Sequence, residues 1–292
     1  MDIPFYQVDV FSNKLFGGNP LAVFLNGENF KEDQLQQVAR EMNLSETTFV
    51  FPSSHPDAHF DVRIFTPGKE IPFAGHPTLG TAFVLKYSGL FTNKTNKLIL
   101  NFKGGLISVH LQKDGIIMME TPAGKILKTI SNTKEIADTL GLKPKNIEPN
   151  LPIQIVTTGF PALLVPIESI GAMKEIILDL ALLKPLLREE KADMIYPFTR
   201  QTFDQENSIH ARGFAPFIGI PEDPGTGSVA SALGYYLNEK NSKEKRIIIE
   251  QGYEMKRPSN IFVEIDDVEG RTNEIRVGGK VRLVFKGTLY LK

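Results

Sequence analysis

Three polar clusters in the sequence carry residue types that can move protons or hold an anion. Glu46 lies in the segment NLSETTF, His76 in AGHPTLG, and Asp223 in EDPGTGS. Carboxylates and imidazoles are common general acids and bases in enzymes. The chain has no cysteine, which excludes thiol nucleophiles, disulfides and cysteine metal sites. Its five histidines form no HxH or HxxxH pair, so we expect no metal.

Each cluster also has a structural interpretation. Glu46 stands before an apolar strand, where partial burial raises a carboxyl pKa and suits acid/base work, but it could be an exposed loop glutamate. His76 stands at a helix N-terminus, whose dipole favours a neutral imidazole able to hydrogen-bond a substrate, or it could be a cap. Asp223 is either an acid beside an anion-binding turn or, together with Ser228, a capping arrangement.

A repeat links two of these clusters. Residues 63–82 and 212–232 share Arg, Phe and Pro at the start and Gly, Ser/Thr and Ala at the end, about 150 positions apart. In each copy a turn leads into a helix, and helix N-termini attract anions. We therefore expect the two helix ends to face a common cleft and hold a carboxylate, with substrate-binding residues Gly75, Thr78, Gly225, Thr226, Gly227 and Ser228. The repeated arginines, Arg63 and Arg212, are expected to brace the turns.

Hydrophobic periodicity predicts more strands than helices, with one long central helix in each half. The chain therefore reads as two α+β domains that divide near residues 112–130. The predicted helices are 31–42, 77–87, 133–140, 170–190 and 228–239. The predicted strands are 5–11, 20–25, 44–52 and 59–67, three within 97–122, two within 153–167, then 193–200, 208–216 and a final run from residue 246 onward.

Composition narrows the class of partner. Hydrophobic residues make up 41% and charged residues 23%, which is ordinary for a globular protein. The net charge of −1 favours neither nucleic acid nor an anionic membrane. No apolar run approaches the roughly 18 residues of a membrane span, and the N-terminus reads as a strand rather than a signal peptide. We expect a cytoplasmic protein whose partner is a small-molecule carboxylate.

The segments GGNPLAVF, AREMNLSETTFV, RIFTPGKEIPFAGHPTLGTA and EDPGTGS, in this order, closely resemble the PhzF family of phenazine biosynthesis isomerases and their relatives. The resemblance covers nearly the whole chain. It implies a diaminopimelate epimerase-like fold, in which two pseudo-symmetric domains each wrap a mixed β-barrel around a central α-helix. The implied domains are 1–115, joined by the last strand 287–292, and 116–286, with the active site in the cleft between them. It also implies a homodimer.

The resemblance implies roles for four residues. Glu46 would be the acid/base, and His76, Asp223 and Ser228 would surround a small cyclic carboxylic acid. In the phenazine enzyme a dihydro-hydroxyanthranilate undergoes a proton shift without any cofactor. Gly213 departs from the motif, which usually carries a larger apolar residue there, so the resemblance leaves the pocket size open.

Epimerases of the same fold use two thiols, one ahead of each central helix. Those places lie here near Ala74 and Pro224, neither of which can move a proton. Proton transfer by the single carboxylate of Glu46 therefore remains. Two hypotheses follow, a cofactor-independent isomerase and a non-catalytic small-anion-binding protein. The retained set of Glu46, His76 and Asp223 favours the enzyme, because a binding protein needs no base.

Overall fold

The computed structural model describes residues 2–92, 95–240, 244–268 and 271–291 and has a mixed α/β fold. The strands are β1 (Asp2–Val10), β2 (Asn19–Phe24), β3 (Glu46–Pro52), β4 (Phe60–Phe65), β5 (Glu70–Ile71), β6 (Lys97–Phe102), β7 (Gly105–Leu111), β8 (Ile117–Glu120), β9 (Lys125–Ile130), β10 (Ile153–Thr157), β11 (Ala162–Pro166), β12 (Met194–Thr199), β13 (Ile209–Ala211), β14 (Gly213–Ala215), β15 (Ile220–Asp223), β16 (Arg246–Gln251), β17 (Ser259–Val268), β18 (Arg271–Gly279) and β19 (Val281–Tyr290). The α-helices are α1 (Glu32–Met42), α2 (Gly75–Tyr87), α3 (Thr133–Thr139), α4 (Ile170–Lys174), α5 (Leu180–Glu190) and α6 (Gly227–Glu239), and short 3₁₀ turns cover Gly27–Asn29, Pro144–Asn146 and Pro216–Ile218.

The chain divides into two compact units. The first comprises Met1–Glu120 and Gly278–Lys292, and the second comprises Thr121–Val277. Three expectations stay predictions: the pseudo-symmetry of the two domains, their boundaries and the cleft between them. The predicted last strand ends at Lys292, which lies outside the described residues. None of the helices in the described residues is long and apolar enough to cross a membrane.

The first unit folds its strands around α2. β1 pairs antiparallel with β2 and β19, β2 runs parallel to β3, β3 antiparallel to β4, β4 parallel to β6, and β6 antiparallel to β7. Helix α2 is buried along most of its length, which explains its apolar sequence. A β-carbon at Gly80 would lie 2.5 Å from Leu21 Cδ2, so glycine lets the helix approach β2 closely. This packing fixes the position of the α2 N-terminus relative to β2.

The second unit repeats the order of pairings. β10 is antiparallel to β11, β11 parallel to β12, β12 antiparallel to β13, β13 parallel to β16, and β16 antiparallel to β17. Its long helix, α6, is also largely buried. A β-carbon at Gly234 would lie 2.7 Å from Val263 Cγ1, so this helix too approaches its sheet closely.

The repeated arginines brace their turns, as predicted. Arg63 Nε donates to Glu70 at 2.8 Å, and Arg212 Nε donates to Glu222 at 2.8 Å. Each guanidinium also lies over the ring of the phenylalanine two residues later, at 5.1 and 4.8 Å from the centroid. The sequence repeat therefore corresponds to a repeated set of contacts inside each unit.

Two predicted helices differ from the observed ones. Helix α2 begins at Gly75 rather than at Pro77, which is its third residue; the proline is tolerated there because first-turn N–H groups have no intrahelical acceptor. The predicted helix 170–190 is two helices, because Asp179 starts a new one by accepting hydrogen bonds from the amides of Ala181 and Leu182.

The strand predicted over 208–216 is also divided, with β13 ending at Ala211 and β14 starting at Gly213. Arg212, which separates them, turns its side chain to Glu222 and to the Met173 carbonyl oxygen.

Candidate active site

Glu46 is the first residue of β3 and is 7% exposed. It lies opposite Leu21 in the parallel pairing of β2 and β3. The next four residues of β3, Thr47 to Val50, are also buried. The interpretation as a solvent-exposed loop glutamate is therefore wrong.

His76 is the second residue of α2 and is 5% exposed. Burial lowers its pKa to about 3, although a hydrogen bond with the Pro20 backbone opposes the shift. The imidazole is therefore neutral near pH 7, as predicted, but burial rather than the helix dipole is the main cause.

Glu46 and His76 come into direct contact inside the first unit. Glu46 Oε2 lies 3.3 Å from His76 Nε2. Nε2 has no hydrogen-bond partner among the residues that the structure describes, so the other ring nitrogen, Nδ1, donates to the Pro20 carbonyl oxygen. With its proton on Nδ1, the neutral ring presents a lone pair at Nε2.

When the carboxyl group of Glu46 carries a proton, His76 Nε2 lies within reach as an acceptor. A proton on Glu46 turns the same contact into a hydrogen bond to His76. The pair can therefore stabilise the state in which Glu46 has taken a proton from another molecule.

Gly75 and Thr78 lie on the same helix end as His76, and both are buried. The Thr78 hydroxyl donates to the Ala74 carbonyl oxygen at 2.8 Å. This bond holds the hydroxyl against its own helix. A substrate-binding role for Gly75 and Thr78 stays a prediction.

Asp223 ends β15 in the second unit and is 6% exposed. Its Oδ2 accepts a hydrogen bond from the Thr226 hydroxyl at 2.5 Å. Thr226 occupies the N-cap position of α6, and Gly227 is the first helical residue. The N-cap residue makes no side-chain hydrogen bond to the helix amides, and the hydroxyl that reaches Asp223 is that of Thr226. Capping by Asp223 together with Ser228 stays a prediction.

Gly225 is buried, and Ser228 is partly exposed. The Ser228 carbonyl oxygen accepts hydrogen bonds from the hydroxyls of Thr158 and Ser231, at 2.9 and 2.8 Å. These bonds position the first turn of α6. Anion binding by Gly225, Thr226, Gly227 and Ser228 stays a prediction, as does the common cleft with Glu46 and His76.

Two contributors were missed from the sequence. The Pro20 carbonyl sets the tautomer of His76, and Gln251 hydrogen-bonds to both Asp223 and Thr226. A backbone carbonyl leaves no trace in residue type. Gln251 did leave a signal, because two polar residues, Glu250 and Gln251, follow three isoleucines and precede Gly252.

His210 belongs to a separate structural cluster. Its two ring nitrogens lie 3.0 Å from Glu250 Oε1 and 3.1 Å from Glu254 Oε1. Burial alone would lower its pKa, but the hydrogen bonds with the two carboxylates outweigh burial and raise it. Glu250 also accepts from the amides of Phe203 and Asp204, so the cluster anchors that loop. Across the described ranges, no three His, Asp or Glu residues are arranged to hold a metal ion.

Comparison with known proteins gives a family match over most of the chain. Residues 8–287 match the family described as phenazine biosynthesis-like protein. A trans-2,3-dihydro-3-hydroxyanthranilate isomerase of Pseudomonas aeruginosa is 33% identical over 97% of this chain and 98% of its own. Several further relatives are also named isomerases.

Comparison with solved structures gives the same family. A PhzF family protein of Bacillus anthracis superposes with a TM-score of 0.91, at 27% identity and with all of both chains covered. A probable proline racemase of Agrobacterium radiobacter, at 13% identity, has a TM-score of 0.64 over 99% of this chain and 93% of its own, which is a likeness of fold alone.

Proposed function

The chain belongs to the phenazine biosynthesis-like protein family and is an isomerase, and we propose that it shifts a proton on a small, cyclic carboxylic acid with Glu46 as the single acid/base. The proposal includes no metal and no organic cofactor. The contact between Glu46 Oε2 and His76 Nε2 carries it, because it provides a place for a proton that leaves and returns.

The proposed reaction conserves protons and electrons. Glu46 takes a proton from one carbon of the substrate, and the electron pair of that C–H bond moves along an adjacent double bond. The protonated Glu46 donates to His76 Nε2 while the intermediate exists. It then returns the proton to a second carbon, where a new C–H bond forms, and nothing is oxidised or reduced.

His76 and Asp223 have different parts in this scheme. Because His76 is neutral near pH 7, it accepts from Glu46 rather than supplying a charge. Asp223, with its Thr226 hydrogen bond, lies beside the N-terminus of α6, where we propose that the substrate carboxylate binds. The N-terminal end of α2 would complete that pocket in the predicted cleft.

The substrate class rests on the relatives. The Pseudomonas aeruginosa relative is named for trans-2,3-dihydro-3-hydroxyanthranilate, a small cyclic carboxylic acid. The alternative of a non-catalytic anion-binding protein finds no support in relatives that are named isomerases.

Proton NMR in D₂O tests the function. The protein is incubated with trans-2,3-dihydro-3-hydroxyanthranilate and with a panel of cyclic, unsaturated carboxylic acids. An isomerase of the proposed kind moves a double bond in at least one compound. Enzyme-dependent loss of a C–H signal would mark the carbon that Glu46 deprotonates. A panel in which no compound changes, with protein that is folded by circular dichroism, would contradict the proposed substrate class.

A further inference from the structure

Gln251, the last residue of β16, is wholly buried and makes four hydrogen bonds around Asp223. Its Oε1 accepts from the Tyr196 hydroxyl at 2.8 Å and from the Thr226 amide at 3.1 Å. Its Nε2 donates to the Asp223 carbonyl oxygen at 2.7 Å and to Thr226 Oγ1 at 3.0 Å. We propose that Gln251 is a positioning residue that directs the Thr226 hydroxyl proton onto the Asp223 carboxylate.

The orientation of the Gln251 amide is fixed by backbone groups. A peptide N–H can only donate and a peptide carbonyl can only accept. The Thr226 amide therefore needs Oε1, and the Asp223 carbonyl needs Nε2. Exchanging the oxygen and nitrogen of Gln251 would break both bonds, so the side chain has one stable orientation.

That orientation determines the direction of the next hydrogen bond. Because Gln251 Nε2 donates to Thr226 Oγ1, the single hydroxyl proton of Thr226 is free to point to Asp223 Oδ2. The result is a chain of donors from Gln251 through Thr226 to Asp223. A carboxylate that holds a fixed donor on one oxygen is kept as an acceptor at a defined angle. The inference rests on the proposed function only for the part that Asp223 takes in it.

The surroundings hold Gln251 in place. Burial raises the pKa of Tyr196 far above its usual value, so its hydroxyl remains a donor to Oε1. Gly213 lies against the amide, and a β-carbon there would lie 3.0 Å from Gln251 Nε2 and 3.1 Å from Thr226 Oγ1. The larger apolar residue that the family motif usually carries at this position would crowd both groups. Glycine at 213 is thus matched to the buried amide in this chain.

Carbon-13 NMR of the carboxyl groups of labelled aspartate tests the inference without a substrate. The Asp223 signal is assigned by its absence from Asp223→Asn. Thr226→Val removes the hydroxyl donor and is expected to shift the Asp223 signal. Gln251→Met keeps the length of the side chain but removes both donors, and it is expected to shift the signal in the same direction by a comparable amount.

Two matched variants distinguish a change in the direction of the Thr226 hydrogen bond from a general loss of packing around Gln251. Tyr196→Phe removes one bond to Gln251 but leaves the amide orientation fixed, so the Asp223 signal should move much less than in Gln251→Met. Thr226→Ser keeps the hydroxyl and should keep the signal at its wild-type position. If Gln251→Met does not fold, Gly213→Ala displaces the amide slightly and should give a smaller shift in the same direction.

Three outcomes would overturn the inference. The first is an unmoved Asp223 signal in Gln251→Met or, if that variant does not fold, in Gly213→Ala. The second is an unmoved Asp223 signal in Thr226→Val. The third is a shift in Tyr196→Phe as large as that in Gln251→Met. Since the measurement needs no turnover, it fails or succeeds separately from the isomerase assay.

Discussion

Glu46 Oε2 lies 3.3 Å from His76 Nε2, and the two side chains are 9% and 6% exposed. The two residues are 30 positions apart in the sequence. Glu46 is the first residue of β3, and His76 lies in the first turn of α2. Their contact gives the first unit a buried carboxylate beside a neutral imidazole. The proposed proton shift depends on this pairing more than on either residue alone.

Replacing His76 by leucine should lower the turnover number by about 10–100-fold, the value of one lost hydrogen bond of about 1.5–3 kcal/mol to a buried group. The protonated Glu46 would lose its acceptor, while a similar side-chain volume is kept. Rates of the NMR assay in D₂O measure the effect. His59→Asn is the matched control, because His59 also lies in the first unit but accepts from the Ile99 amide and packs against the Phe91 ring. Equal rates for wild type and His76→Leu would contradict the proposed part of His76.

The His210 cluster should make stability depend on pH. The folded-state pKa of His210 is raised, so its contribution to stability is fully present below the unfolded value of about 6.5 and is lost as the pH rises through the folded value. The difference in unfolding free energy between wild type and His210→Gln should therefore be largest near pH 6 and shrink at higher pH. Urea unfolding from pH 6 to 9 measures it. A difference that grows with pH would contradict a protonated His210 between Glu250 and Glu254.

Gly80→Ala should destabilise the protein by about 1–3 kcal/mol, because an added β-carbon meets Leu21, Val10 and Val8 in a packed core. The same shift of α2 would move His76 away from Glu46 and lower activity. Gly68→Ala is the control, since its β-carbon would meet only Thr66 Oγ1 at 3.9 Å. Thermal unfolding and the NMR assay report the two effects. Unchanged stability in Gly80→Ala would mean that the helix does not pack against β2 as closely as described.

Small anions should stabilise the protein if the two helix ends form a carboxylate pocket. At ~10 mM benzoate, phosphate or sulfate and a Kd of ~1 mM, binding would add about 1.4 kcal/mol, a rise in Tm on the order of 3 °C. Sodium chloride at equal ionic strength is the control for screening. If none of the three anions raises Tm above the chloride control, the predicted pocket is contradicted.

Local sequence predicted the environments of the site residues better than their partners. The sequence predicted the strand after Glu46, the helix after His76 and the neutral form of His76. It left the burial of Glu46 open between two alternatives. The contact between the two residues was not predicted, because it depends on the register of β2 with β3 and on the close approach of α2. Register and helix height are set by packing over the whole unit.

The contributions of Pro20 and Gln251 were not predicted for a related reason. Pro20 acts through a carbonyl that every residue has, and Gln251 acts from a strand that reads as core. Helix boundaries shifted where a local cap competed with periodicity, as Asp179 did. The family resemblance supplied the isomerase assignment, which neither burial nor distance contains.

The rate of Glu46→Gln in the NMR isomerisation assay tests the central claim most directly. The amide keeps the shape of the carboxyl group but cannot take a proton from carbon, so the rate should fall by at least about 10²–10⁴-fold while the substrate still binds. Glu120→Gln is the matched control, because Glu120 also pairs with a histidine, His110, at 2.9 Å but at a more exposed position, and it should retain the wild-type rate. Normal turnover by Glu46→Gln, or loss of wild-type activity on treatment with EDTA, would contradict single-carboxylate catalysis by Glu46.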